Sequence, residues 1–91
     1  PNPFNPVTSI QFDLPVQSVV TLKVYNLLGQ EVATLYNHEL FDEGAGEAEF
    51  DASALTSGVY IYRIIAQAVV DEEDGTAGQT YIDVKKMLLI K

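Results

Sequence analysis

Val59-Tyr60-Ile61-Tyr62-Arg63-Ile64-Ile65-Ala66-Gln67 decides the fold. Aromatic and β-branched side chains in an unbroken run fit a pleated, half-buried surface, and no helical period runs through them. Arg63 in the middle separates the two faces. A guanidinium stays in water, so Val59, Ile61 and Ile65 face outward with it, and Tyr60, Tyr62 and Ile64 face a core. A single strand cannot supply that core, so partner strands must lie on either side of it in the sequence.

Upstream, Ser57-Gly58 closes a turn that Asp51-Ala52-Ser53 opens, and Asp51 predicts a single helical turn with its carboxylate capping free amides. Glu47 to Phe50 predicts a short strand with Ala48 and Phe50 inward. Asn37 to Gly46, with two glycines and three acids, predicts a loop. Gln30 to Tyr36 and Val19 to Tyr25 predict a hairpin, with Val20, Leu22 and Val24 on one face opposite Thr21, Lys23 and Tyr25. Asn26-Leu27-Leu28-Gly29 turns the chain between them, Gly29 supplying a positive φ. Thr8, Ile10, Phe12 and Leu14 alternate with Ser9, Gln11 and Asp13, the period of a half-buried strand, until Pro15 stops it. Pro1-Asn2-Pro3-Phe4-Asn5-Pro6 predicts an extended or turning entry, because proline fixes φ and removes donors.

Downstream, Asp71-Glu72-Glu73-Asp74-Gly75 with Thr76, Ala77 and Gly78 predicts an acidic hairpin tip. Thr80 to Ile90 predicts the closing strand. Its even positions Ile82, Val84, Leu88 and Ile90 are apolar but Lys86 interrupts them, which predicts a bulge or bend at Lys85-Lys86. The final segment, Lys85-Lys86-Met87-Leu88-Leu89-Ile90-Lys91, holds three of the five basic side chains around an apolar run. That much apolar surface needs a partner. As an edge strand it could join another sheet through its backbone, with Met87 to Ile90 filling pockets, so its end is expected to be an accessible edge. Six or seven short strands predict an all-β antiparallel sandwich of two short sheets, its core formed by Phe12, Leu22, Val24, Phe50, Tyr60, Tyr62 and Val84.

Size and charge narrow the function. Ninety-one residues, 47 % of them hydrophobic, suffice for one domain. A formal charge of −8 opposes nucleic acid, whose binding needs phosphates neutralised. No apolar run approaches the ~20 residues of a membrane helix, so no membrane insertion is expected. The chain opens on proline, which predicts a piece of a longer protein. Without cysteine there is neither a disulfide nor a thiolate metal site.

No catalytic residue can be nominated. His38 is the only histidine and falls on a predicted loop, where it reads as solvated. No glycine-rich phosphate cradle occurs, and the acids suggest no cleft for glycoside hydrolysis. Counting back from Gly75 gives Asp74, Glu72 and then Val70, which breaks the alternation a calcium loop requires. No metal or cofactor is therefore expected. Tyr25, Tyr36 and Tyr81 read better as core or scattered surface than as a sugar platform. A carbohydrate-binding accessory domain of a secreted hydrolase remains one alternative. A structural module that self-associates by strand addition is another, for which the face of Val59, Ile61 and Ile65 would serve.

The motifs, taken in order, resemble one family. They are Pro1 to Pro6 with Thr8 and Ile10, Thr21 to Val32, Asp51-Ala52-Ser53, Ser57-Gly58-Val59-Tyr60, Tyr62-Arg63 and Lys85 to Leu89. Together they resemble the type A C-terminal sorting domain of the type IX secretion system (Por secretion system), which is similar in fold to the immunoglobulin-like domain of the flagellar hook-capping protein. The resemblance implies an immunoglobulin-like β-sandwich spanning residues 8–91, non-catalytic, at the end of an exported protein of a Gram-negative bacterium. It implies passage through the periplasm to the outer-membrane surface or the exterior, with the secretion machinery and a sortase-like peptidase as partners. By position, Lys85, Lys86, Met87, Leu88, Leu89, Ile90 and Lys91 would be the sorting signal, Gly58 and Gly29 structural turns, and residues 1–7, with Pro1, Asn2, Pro3, Phe4, Asn5 and Pro6, the junction with the cargo. The hairpin between Ala66 and Lys85 is longer than the compact family pattern.

Overall fold

The computed structural model describes residues 2–4, 6–69, 73 and 78–91. They form β1 (Asn2–Phe4), β2 (Val7–Leu14), β3 (Ser18–Asn26), β4 (Glu31–Phe41), β5 (Gly44–Asp51), β6 (Gly58–Ala68) and β7 (Thr80–Leu89). One sheet has the order β1-β7-β6-β3-β4 and the other is the pair β2-β5. The fold is the all-β sandwich that the periodicity predicts. Its neighbouring strands are antiparallel except for β1, which runs parallel to β7. Asp71, Glu72, Asp74 and Gly75 of the predicted acidic tip lie outside the described residues.

β6 sits at the centre of the large sheet, as its composition demands. Tyr60 and Ile64 are buried and Arg63 is exposed, while Tyr62 is half-buried. The Tyr60 hydroxyl donates to the Thr56 carbonyl at 2.7 Å, so the ring is buried without orphaning its polar end. Val20, Leu22 and Val24 of β3 face the same core, fully enclosed. Phe50 of β5 and Ile10 and Leu14 of β2 close it from the small sheet. Burying side chains of this size contributes about 1.5–3 kcal/mol each.

Asn37 to Gly46 is not a loop. β4 continues to Phe41 and β5 starts at Gly44, leaving Asp42 and Glu43 as the link. Backbone pairing with β3 and β2, not side-chain patterning, makes this stretch strand. The β3–β4 ladder shifts register between Val20 and Leu22, between Leu22 and Lys23, and between Val24 and Tyr25. His38 lies on that irregular strand with a φ of 54°, exposed, its N–H donating to the Thr21 hydroxyl at 3.3 Å. Here the sandwich is closed, with Phe12, Tyr36 and Phe41 packed edge to face, Tyr36 and Phe41 at a centroid distance of 4.8 Å. Tyr36 is thus part of the core margin and not a surface platform.

The Asp51 segment is a turn and not a helix. The Leu55 N–H donates to the Ala52 carbonyl at 2.9 Å, and Asp51 Oδ1 accepts from the Ser53 N–H at 2.9 Å and from the Ser53 hydroxyl. The carboxylate does serve free donors, as expected, but the turn ends after one bond. Those bonds hold the Asp51 carboxyl below its ordinary pKa. A lowered native pKa contributes stability above the unfolded value and loses it as pH falls through the native one, here below about pH 4. Ser53→Ala should therefore lower the urea midpoint at pH 7 slightly, with the gap to the parent closing as acid protonates the Asp51 carboxylate.

The closing strand departs most from expectation. β7 pairs with β6 in unbroken register from Gln67↔Thr80 to Gly58↔Leu89, with no bulge at Lys85-Lys86. The inward positions are odd, so Met87 and Leu89 are core while Val84 is outward and 55 % exposed. Phe12 and Tyr62, expected in the core, pack at its edge.

Candidate functional site

The structure ties the Lys85 to Lys91 segment down along its length. Met87 and Leu89 are buried at 5 % and 1 % exposure, beneath the small sheet. Lys85 shares their face but lies exposed, 3.9 Å from the Asp83 carboxylate. Lys86 and Ile90 are exposed and Leu88 is half-buried. Lys91 donates from its backbone N–H to Ser57 Oγ at 3.1 Å and from Nζ to the Ser53 carbonyl at 2.7 Å. The groups a partner could touch without unfolding the domain are therefore Lys85, Lys86, Ile90 and the outer side of Leu88.

The end of β7 is not an accessible edge. β6 pairs with it on one side and β1 on the other, in the register Asn2↔Met87, Pro3↔Leu88 and Phe4↔Leu89. The Ala68 N–H donates to the Gln79 carbonyl at 2.7 Å, and antiparallel alternation then turns the backbone groups of odd β7 residues toward β6. Even residues turn toward the other edge. Leu88 accordingly meets β1 through Asn2 and Phe4, the residues flanking Pro3, which has no N–H to give. Pro3 brings no N–H to the outer side of β1 either, a common way to blunt a sheet edge. The remainder of the β7 edge, Thr80 to Lys86, has no strand on it among the described residues.

The two glycines singled out in the sequence sit where the backbone needs them. Gly29 has a φ of 82° in the β3–β4 turn, where Asn26 Oδ1 accepts the N–H groups of Leu28 and Gln30, both at 3.0 Å. Gly58 has a φ of 151° where β6 begins, opposite Leu89. A Cβ would meet nothing within 4 Å at either, so backbone conformation and not space calls for glycine.

Two features escape a reading along the chain. The outer face of the large sheet collects Lys23, Arg63 and Lys86 among Ile61, Ile65, Ile82 and Val84. Arg63 stacks 5.2 Å from the Tyr25 ring centroid and donates to its hydroxyl at 2.8 Å; Lys23 pairs with Glu31 at 3.0 Å. That pairing, with Thr34, lowers the Glu31 pKa. The outer face of the small sheet instead carries Asp13, Glu47, Glu49 and Asp51. Period-two bookkeeping across strands could have shown this segregation. The second feature is a groove of about 300 Å³ on the open side of the sandwich, between β2 and β7, floored by Tyr62, Ile64 and Ala66. Burial pushes the Tyr62 phenol up, and the Asp83 carboxylate adds to it.

Among the described residues, no group of three His, Cys, Asp or Glu side chains is placed to hold a metal ion. No curated protein and no solved structure matches the chain. A family model does, described as a secretion system C-terminal sorting domain, over residues 1–73. The match takes in β1 to β6 and stops before β7, so it rests on the sandwich and not on the terminal segment. On that match, covering well over half of its length, this chain belongs to the type IX secretion family of C-terminal sorting domains.

Proposed function

We propose that this domain is a non-catalytic address that sends an attached exported protein through the outer-membrane type IX translocon to the cell surface. The family match over residues 1–73 carries the reading. The domain works by being recognised: Lys85, Lys86, Ile90 and the outer side of Leu88 present the exposed part of the signal, on a strand held rigid by Met87 and Leu89. Residues 1–7 join it to the cargo, and a sortase-like peptidase then acts near that junction. Rigid presentation lowers the ordering cost that a floppy tail would incur on binding.

The test is surface delivery of a reporter fused ahead of this domain. Deleting Lys85 to Lys91 should abolish delivery, but that deletion also removes two core side chains. The sharper variant is Lys86→Ser with Ile90→Ser, which leaves the core intact. Delivery should fall at least tenfold while circular dichroism stays that of the parent domain. Normal delivery by both variants overturns the assignment of the signal to this segment.

A further inference from the structure

The direction of β1 carries one inference further. β1 runs parallel to β7 with Asn2 opposite Met87, and the preceding residues, carried back in the same register, would lie opposite Lys86, Lys85 and so on to Thr80. That stretch is the part of the β7 edge on which the described residues place no strand. Ile82 and Val84 on it are 62 % and 55 % exposed. Open strand edges of this kind recruit another strand.

We propose that the cargo-side polypeptide entering the domain at its N-terminus continues β1 along Thr80 to Lys86, so that the junction is a strand and not a free linker. The inference rests on the reading that a cargo precedes this domain. Counted back from Asn2↔Met87, a strand of seven residues in this register would reach Thr80. The backbone chemistry fits. The even β7 residues Ile82, Val84 and Lys86 turn their N–H and C=O groups toward this edge, as Leu88 does toward β1. In a parallel ladder those groups meet alternate residues of the incoming strand, the same set as Asn2 and Phe4. Pro3 belongs to the other set, which needs no donor toward β7. A proline there is therefore compatible with the pairing and leaves the far side of β1 a poor template for a further strand.

Amide exchange on the exported protein with its own upstream sequence tests this. The amides of Ile82, Val84 and Lys86 should exchange about as slowly as those of Asp83 and Lys85, which face β6. Replacing the six residues before Pro1 by a Gly-Ser linker should speed Ile82, Val84 and Lys86 at least tenfold, with Asp83 and Lys85 unchanged. Exchange at the three even positions that is already fast in the unmodified protein overturns the proposal. Surface delivery is scored separately. A protein delivered normally with a fast edge refutes the strand and leaves the sorting role standing, while failed delivery with a slow edge refutes the sorting role instead.

Discussion

Phe50→Ala should leave the domain only marginally stable at room temperature. The side chain is 1 % exposed and is the largest one fully enclosed between the sheets. Truncating a buried phenylalanine costs about 3–5 kcal/mol, because the lost transfer energy adds to the cavity that remains. Domains of this size hold only about 5–15 kcal/mol in total, and short chains sit toward the low end because they bury less of their surface. The small sheet is only β2 and β5, so no third strand is available to compensate. Urea unfolding followed by circular dichroism gives the answer. A cooperative transition shifted by under about 1 kcal/mol would mean that the small sheet does not pack through Phe50.

Leu89→Ala should cost about 2–5 kcal/mol and Val84→Ala less than about 0.5. Both positions are apolar and lie on one strand, yet Leu89 is 1 % exposed and Val84 55 %. The pair therefore reads the register of β7 directly. Had a bulge at Lys85-Lys86 kept Val84 inward, parity would switch after it, and Val84→Ala would be costly as well as Leu89→Ala. Denaturation midpoints for the two variants decide between these registers. The result also bears on export assays, since a Leu89 variant would fail to be delivered merely by unfolding.

That contrast shows where sequence stops speaking. β6, the β3–β4 turn and the alternation in β2 were legible because each has one face on the core and one in water, so side-chain chemistry records the register. β7 breaks the rule. The small sheet covers only its second half, so the inward positions Tyr81, Asp83 and Lys85 are not buried and need not be apolar. The outward positions Ile82 and Val84 are apolar instead, and the eye follows the wrong face. Glycines and acids between Asn37 and Gly46 read as loop although backbone pairing makes most of the stretch strand. β1 was out of reach for another reason. It is three residues long, contains a proline, and its partner lies at the far end of the chain, so nothing local announces the pairing. The charge and apolarity of the terminal segment mark it in the sequence, but its covering by β1, which changes what a partner can touch, leaves no such mark.

The parallel pairing of Asn2–Phe4 with Met87–Leu89 also gives the domain a mechanical polarity. Pulling the two ends of the chain apart draws β1 one way along its axis and β7 the other. The hydrogen bonds between them then lie across the pull and are loaded together, as in a shear joint. Two antiparallel terminal strands pulled from the same end would instead peel open one rung at a time. Tension reaches this joint before it reaches the Phe50 core, so the clasp between first and last strands is the domain's fuse under load.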